Sequence, residues 1–194
     1  MNRWLTKRAG LMAAGMALLL PAVRAETLVA TADIVFRGSS TLHDFEGMAT
    51  SQPFKADFQE NAEDGTLTVS AKTTLNVAGM TTDSKKRDRN MYNMFDIAHF
   101  ANIEGQLPEI AVSETDATKA PLHLKICDVE QDVTAIISNV ERNKEAISCT
   151  MTFPVSLKAF NLKGPSVMGF IRVDDTVQVE CNIKGKICDT VAGK

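Results

Sequence analysis

Beyond residue 25 the sequence has no apolar run approaching the length of a transmembrane helix, which excludes a helical membrane span from that part of the chain. It has no CxxC pair, and its three histidines, His43, His99 and His123, are not grouped with its four cysteines. The ligand spacing that marks a zinc site is therefore missing, and no metal is expected. His43 and Asp44 lie near Ser39, Ser40 and Thr41, but no nucleophile elbow or comparable frame surrounds them. A catalytic dyad needs a third group and a nucleophile at hydrogen-bond distance, so His43 reads as a turn residue and the chain as a non-enzyme. Internal repeats, low-complexity tracts and linkers are also lacking, which points to a single domain.

What is present begins with an export signal. Arg3, Lys7 and Arg8 precede an uncharged apolar run from Ala9 to Ala22, and Val23 and Ala25 stand three and one before a cut after Ala25. This is the layout of a secretory signal peptide over residues 1–25, and no cysteine follows the cut to carry a lipoprotein anchor. The mature domain is then 26–194, in a periplasmic or secreted setting. Arg3, Lys7, Arg8 and Arg24 all leave with the signal, so 17 basic residues remain against 24 acidic ones, a net charge of −7. A chain this acidic is a poor nucleic-acid binder.

Cys127, Cys149, Cys181 and Cys188 all lie in the second half. An even count in an exported chain suggests disulfides, and four cysteines allow three connectivities. Cys181 and Cys188 would face each other across a hairpin turn at Lys184-Gly185. Strand parity speaks against a Cys127–Cys149 pair, because Cys149 aligns with inward positions and Cys127 with outward ones.

The recurring period is two. Leu67, Val69, Ala71, Thr73, Leu75 and Val77 fall on one face, and Thr66, Thr68, Ser70, Lys72, Thr74 and Asn76 on the other. Residues 147–157 repeat the pattern with Ile147, Cys149, Met151, Phe153, Val155 and Leu157. Val177, Val179, Cys181 and Ile183 repeat it again. Shorter runs at 28–36, 44–51, 103–107, 122–127 and 133–138 bring the expectation to about eight strands. Short polar turns join them, Glu63-Asp64-Gly65 and Asp174-Asp175 among them. One segment, Asp83 to Phe95, lacks alternation. Asp83 or Ser84 can cap a helix there, and Met91, Met94 and Phe95 share a helical face, so a short helix is expected in a long crossover. The fold class read from this is all-β: an eight-stranded antiparallel lipocalin-like barrel with one short helix in a crossover. A two-sheet sandwich is the competing architecture. A barrel of this size is either filled by its own side chains or holds one ligand.

Three stretches resemble the YceI-like family, described as polyisoprenoid-binding and lipocalin-like. The first is Ile34 to Gly47, an apolar strand, a polar turn with His43, then Phe45 and Gly47. The second runs from Asp83 to Phe100, with Arg87-Asp88, Met91, Met94-Phe95-Asp96 and His99-Phe100. The third is Phe153 to Pro165, ending in Phe160-Asn161-Leu162 before Pro165. The order of the three carries the likeness more than any one of them. The resemblance implies an antiparallel barrel whose tunnel holds a polyisoprenoid or the tail of an isoprenoid quinone, with no other cofactor. The chain departs from the family at Cys127, where a glycine is usual, and at Phe100-Ala101, where the family has tyrosine-proline.

The candidate lipid-binding residues are Ile34, Phe36, Phe45, Leu75, Val77, Ile103, Phe153, Leu157 and Ile171 on inward strand positions. Met91, Met94, Phe95 and Phe100 join them as a lid or portal. Each also reads as ordinary core. Lys85, Lys86, Arg87 and Arg89 are head-group candidates, for a phosphate or for transient contact with an anionic membrane surface, unless they form a solvated helix face. The leading expectation is a periplasmic carrier or store of a long-chain isoprenoid or related lipid. The alternative is a structural or partner-binding exported β-domain with a filled interior.

Overall fold

The structure is a computed structural model and describes residues 25–41, 43–61, 66–164 and 173–188. Residues 1–24 of the expected signal segment, the Glu63-Asp64-Gly65 turn and Ile171 lie outside the described residues.

Nine strands are found among the described residues: β1 (Ala25–Ser40), β2 (Phe45–Thr50), β3 (Phe54–Glu60), β4 (Leu67–Asn76), β5 (Asn102–Val112), β6 (Thr118–Ile126), β7 (Val129–Arg142), β8 (Ala146–Ser156) and β9 (Val173–Cys188). A single helix α1 (Lys85–Met94) follows the 3₁₀ turn Val77–Gly79. All pairings between strands are antiparallel, and β9 pairs back onto β1 from Thr27–Cys188 to Ser40–Val173, closing the sheet. β2 and β3 share one edge of β1: β2 pairs with Asp33 to Gly38, and β3 with Ala25 to Ala30. They form one broken stave, so nine strands make an eight-stave barrel. Closure leaves no long unpaired edge.

The expected alternation is the principle on which the barrel is built. The sequence reading omitted β3, although Phe54, Ala56 and Phe58 alternate with Lys55, Asp57 and Gln59. Asp174-Asp175 is not a turn but part of β9. Its Asp175 carboxylate accepts the Lys158 N–H and the Ser156 hydroxyl, each at 2.8 Å, and so ties down the loop that leaves β8. Lys184-Gly185 is not a turn either. β9 runs through it, and a Cβ on Gly185 would lie 3.1 Å from the Ala30 Cβ, so the glycine serves close packing of β9 on β1. Cys181 and Cys188 are therefore on one strand at odd spacing, on opposite faces, and cannot pair. All four cysteines are free thiols.

Irregularities sit where chain chemistry demands them. β5 carries one residue more than β4 between Leu107 and Ile110, a bulge that contains Pro108. β7 bulges between Ser138 and Glu141, and there Asn139 adopts φ 51°, a left-handed conformation that asparagine tolerates. Pro121 and Pro154 are paired on one side only, with Thr134 and Gln178, because the β5–β6 and β7–β8 ladders end before them.

On the outer face His123 Nδ1 lies 2.8 Å from Asp132 and Nε2 3.6 Å from Glu130, which also pairs with Lys125. The hydrogen bond to Asp132 holds the imidazole pKa above its usual value, with Glu130 adding to it. A raised folded-state pKa stabilises the fold below the unfolded value of about 6.5, and the benefit fades as pH rises through the folded value. NMR titration should find the His123 midpoint above that of a free histidine, and Asp132→Asn should bring it down. An unchanged midpoint in the variant would contradict this pairing.

Candidate functional site

The inward faces do not fill the barrel. They line one cavity of about 560 Å³, within the range of small-molecule sites. Every one of Ile147, Cys149, Met151, Phe153 and Val155 on β8 lines it, with Leu157 just beyond the strand, as do Val177, Val179, Cys181 and Ile183 on β9. β4 contributes lining from Leu67 to Leu75. At about 3.3 Å per residue and a tilt of about 40°, that is a channel on the order of 20 Å long.

The space comes from pairing small residues with one another. Ala56 stands opposite Ala71, Ala30 opposite Gly185, and Thr73 opposite Gly105, all of them lining. Near the β1–β2 turn, two phenylalanines lie flat over glycines of the partner strand. Phe36 is paired with Gly47 and Phe45 with Gly38, and a Cβ on Gly47 would lie 2.1 Å from the Phe36 ring. The rings thus lie against the barrel wall, which keeps them off the axis.

At that same end the lining turns polar. Ser40 and His43 of the β1–β2 turn, and Thr82, Ser84, Lys86, Arg87 and Asn90 around α1, form the mouth. Ser84 occupies the N-cap position of α1 but makes no side-chain cap bond. Asp88 does the tying instead. Its carboxylate accepts the Thr82 N–H at 2.8 Å, the Thr82 hydroxyl at 2.6 Å and the Thr81 hydroxyl at 3.0 Å. Desolvation opposes its charge, but those bonds together with Arg87 hold its pKa below the ordinary carboxylate value. Arg87 donates to the Thr82 carbonyl at 2.8 Å, so it clasps the loop while facing the mouth. Tyr92 adds a bond to the Met80 carbonyl at 2.7 Å. At the other end of α1, Cys127 Sγ donates to the Phe95 carbonyl at 3.3 Å. Cys127 has φ 56° in the tight β6–β7 turn, a left-handed conformation that a residue with a Cβ adopts only under strain.

The predicted residues divide cleanly. Ile34, Phe36, Phe45, Leu75, Met91, Met94, Phe95, Ile103, Phe153 and Leu157 line the cavity. Val77 does not: it is fully buried in the 3₁₀ turn. Phe100 is half-buried outside the lining. Of the head-group candidates, Lys86 and Arg87 face the mouth, whereas Lys85 and Arg89 are exposed and outside it. His43 lines the mouth too, while its carbonyl accepts the Ser40 hydroxyl at 2.8 Å within the turn. Sequence reasoning missed Ser51 and the small residues on β1, β3 and β5, because alanine, glycine and serine carry little period-two signal. The three stretches quoted for their resemblance, far apart in sequence, meet at this one rim: the β1–β2 turn, α1 and the loop after β8, where Leu162 N–H bonds the Leu157 carbonyl at 2.8 Å.

Two thiols lie in the wall. Burial pushes Cys149 up to about 11 and Cys181, with Cys149 and Glu180 nearby, up to about 12, so both are neutral and unreactive at pH 8. A maleimide should label exposed Cys188 rapidly, and Cys149 and Cys181 only after denaturation. Mass spectrometry of the labelled peptides decides this, and fast labelling of Cys149 would contradict a sheltered wall.

A model of the YceI-like domain matches residues 28–185. BcnA of Burkholderia cenocepacia superposes with a TM-score of 0.63 at 18% identity, covering 79% of this chain and 95% of its own. A polyisoprenoid binding domain from Saccharophagus degradans, implicated in plant cell wall breakdown, superposes with a TM-score of 0.59 at 14% identity, covering 84% of this chain and 98% of its own. At these identities the likeness is one of fold. No curated protein matches the chain in sequence.

Proposed function

The chain belongs to the YceI-like domain family, and on that premise we propose that it is a non-enzymatic carrier or store for a long-chain isoprenoid or related apolar lipid. The carrying observation is the open apolar channel of about 560 Å³ running through the barrel. An apolar tail buried there gains about 0.8 kcal/mol for each methylene removed from water. The polyisoprenoid-binding description of the Saccharophagus degradans domain supports the same ligand class. Methionines at Met80, Met91, Met94 and Met151 give the wall adaptable surface for a flexible chain.

The tail lies in the barrel and the head faces the rim beside α1. Lys86 and Arg87 are the cations positioned for an anionic head or an anionic membrane surface during loading. The signal-peptide layout of residues 1–25 supports a periplasmic or secreted setting. A filled, ligand-free β-domain is the rival reading, and the small-residue pairs that hollow the wall disfavour it.

Protein purified from its host should release one apolar lipid per chain on organic extraction, with the matching mass shift in native mass spectrometry. Protein that is empty and also takes up no fluorescent apolar probe would sink the proposal.

A further inference from the structure

Three sulfurs gather on the inner wall where β8 meets β9. Met151 stands directly opposite Cys181, and Cys149 directly opposite Ile183, one inward position along. Cys149, Met151 and Cys181 all face the cavity, and Met151 and Cys181 are buried. Cys149 and Cys181 are therefore diagonal neighbours, a relation with a typical Cα spacing of about 7–8 Å. A disulfide needs Cα atoms within about 6.8 Å and sulfurs about 2.05 Å apart, so this pair does not close into one without backbone movement. An ion between the sulfurs asks for less. With metal–sulfur bonds of about 2.3 Å, it bridges sulfurs up to about 4.6 Å apart. Cys149 is also near enough to raise the Cys181 thiol electrostatically, on top of the larger effect of burial.

Among the described residues no three His, Cys, Asp or Glu side chains gather as a metal site. The donor set here is sulfur alone, two thiols and a thioether. The residues paired with them on the adjoining strands are Ile34, Ile137 and Ile183, which offer no oxygen or nitrogen donor. Such a set selects soft ions, and Cu(I) first among them. Zinc asks for four ligands and hard cations for oxygens, and these three side chains supply neither. We propose that Cys149, Met151 and Cys181 form a sulfur-only site for one Cu(I) ion on the barrel wall. Each thiol releases its proton to solvent as its sulfur bonds the ion. Met151 adds a neutral third bond, and no electron is transferred. The complex carries one negative charge, spread over polarisable sulfur. The site does not depend on lipid carriage, so the two readings stand or fall separately.

The test is an anaerobic Cu(I) titration of the purified chain against a chromophoric Cu(I) chelator, and one ion should bind per chain. Cys149→Ala and Cys181→Ala should each weaken binding at least a hundredfold, more than the loss of a ligand's supporting partner costs. Met151→Leu removes only a neutral donor and should cost about tenfold. Cys127→Ala and Cys188→Ala should bind as wild type, since those thiols lie outside the wall. X-ray absorption of the wild-type complex tests the same site without any variant, and a shell of sulfur alone is expected. Nitrogen or oxygen in that shell would overturn the site. So would Cu(I) binding that survives loss of both wall thiols, or that disappears with Cys127 or Cys188. Tighter binding of Zn(II) than of Cu(I) would overturn the choice of ion, and no binding of either would overturn the site outright. A Cys149–Cys181 disulfide, found by peptide mapping after mild oxidation with diamide, would overturn the spacing on which the proposal rests.

Discussion

Replacing Ala71 with tryptophan should abolish lipid uptake while leaving the barrel folded. Ala71 lines the channel opposite Ala56 on one side and Leu107 on the other. An indole there projects into open space, so the strain that a large side chain brings to a packed core does not arise. The fold should keep its circular dichroism spectrum and melt at or above the wild-type temperature, because added apolar surface fills a void. Affinity for an apolar probe should fall at least tenfold, corresponding to about 1.4 kcal/mol or more. Ala111→Trp is the control, since Ala111 is exposed on β5 and should bind normally. Undiminished uptake by the Ala71 variant would mean that lipid binds elsewhere.

Gly47→Ala should be the most damaging single methyl group in the barrel. The new Cβ would meet the Phe36 ring at 2.1, 2.4 and 2.8 Å, and Phe36 is itself buried. The ring must leave the wall and turn into the channel, or the β1–β2 ladder must part. Overpacking of this kind costs about 1–3 kcal/mol, which lowers the melting temperature by about 5 °C in a domain of this size. Uptake should fall as well, since the displaced ring occupies the lipid's path. Phe36→Ala in the same chain removes the clash, so the double variant should be markedly more stable than the sum of the two single losses. Strict additivity, measured by thermal or denaturant unfolding, would refute the stacking argument.

The damage expected at Gly47 shows where sequence reading reaches its limit. Phe36 and Phe45 are legible as inward residues from alternation alone, but the glycines beneath their rings become meaningful only once β1 and β2 are in register. The same holds at Gly185, which reads as a turn in isolation and is a packing gap in the barrel. Asp174-Asp175 reads as a turn because acidic pairs favour turns. Its real partners, Ser156 and Lys158, lie at the end of β8 and in the loop that follows it. α1 was legible because Met91, Met94 and Phe95 break the period of two. Its anchoring by Asp88 was not, since that depends on Thr81 and Thr82 folding back over the helix.

Read alone, the sequence determined that the chain is all-β, inward-facing on alternate residues, and interrupted by one helix, because side-chain direction along a strand follows from local backbone geometry. Only the tertiary structure decided that the barrel is hollow. Whether inward side chains meet or leave a gap depends on which residues face one another across strands. Ala56 opposite Ala71, Ala30 opposite Gly185 and Thr73 opposite Gly105 are pairings between segments distant in the chain.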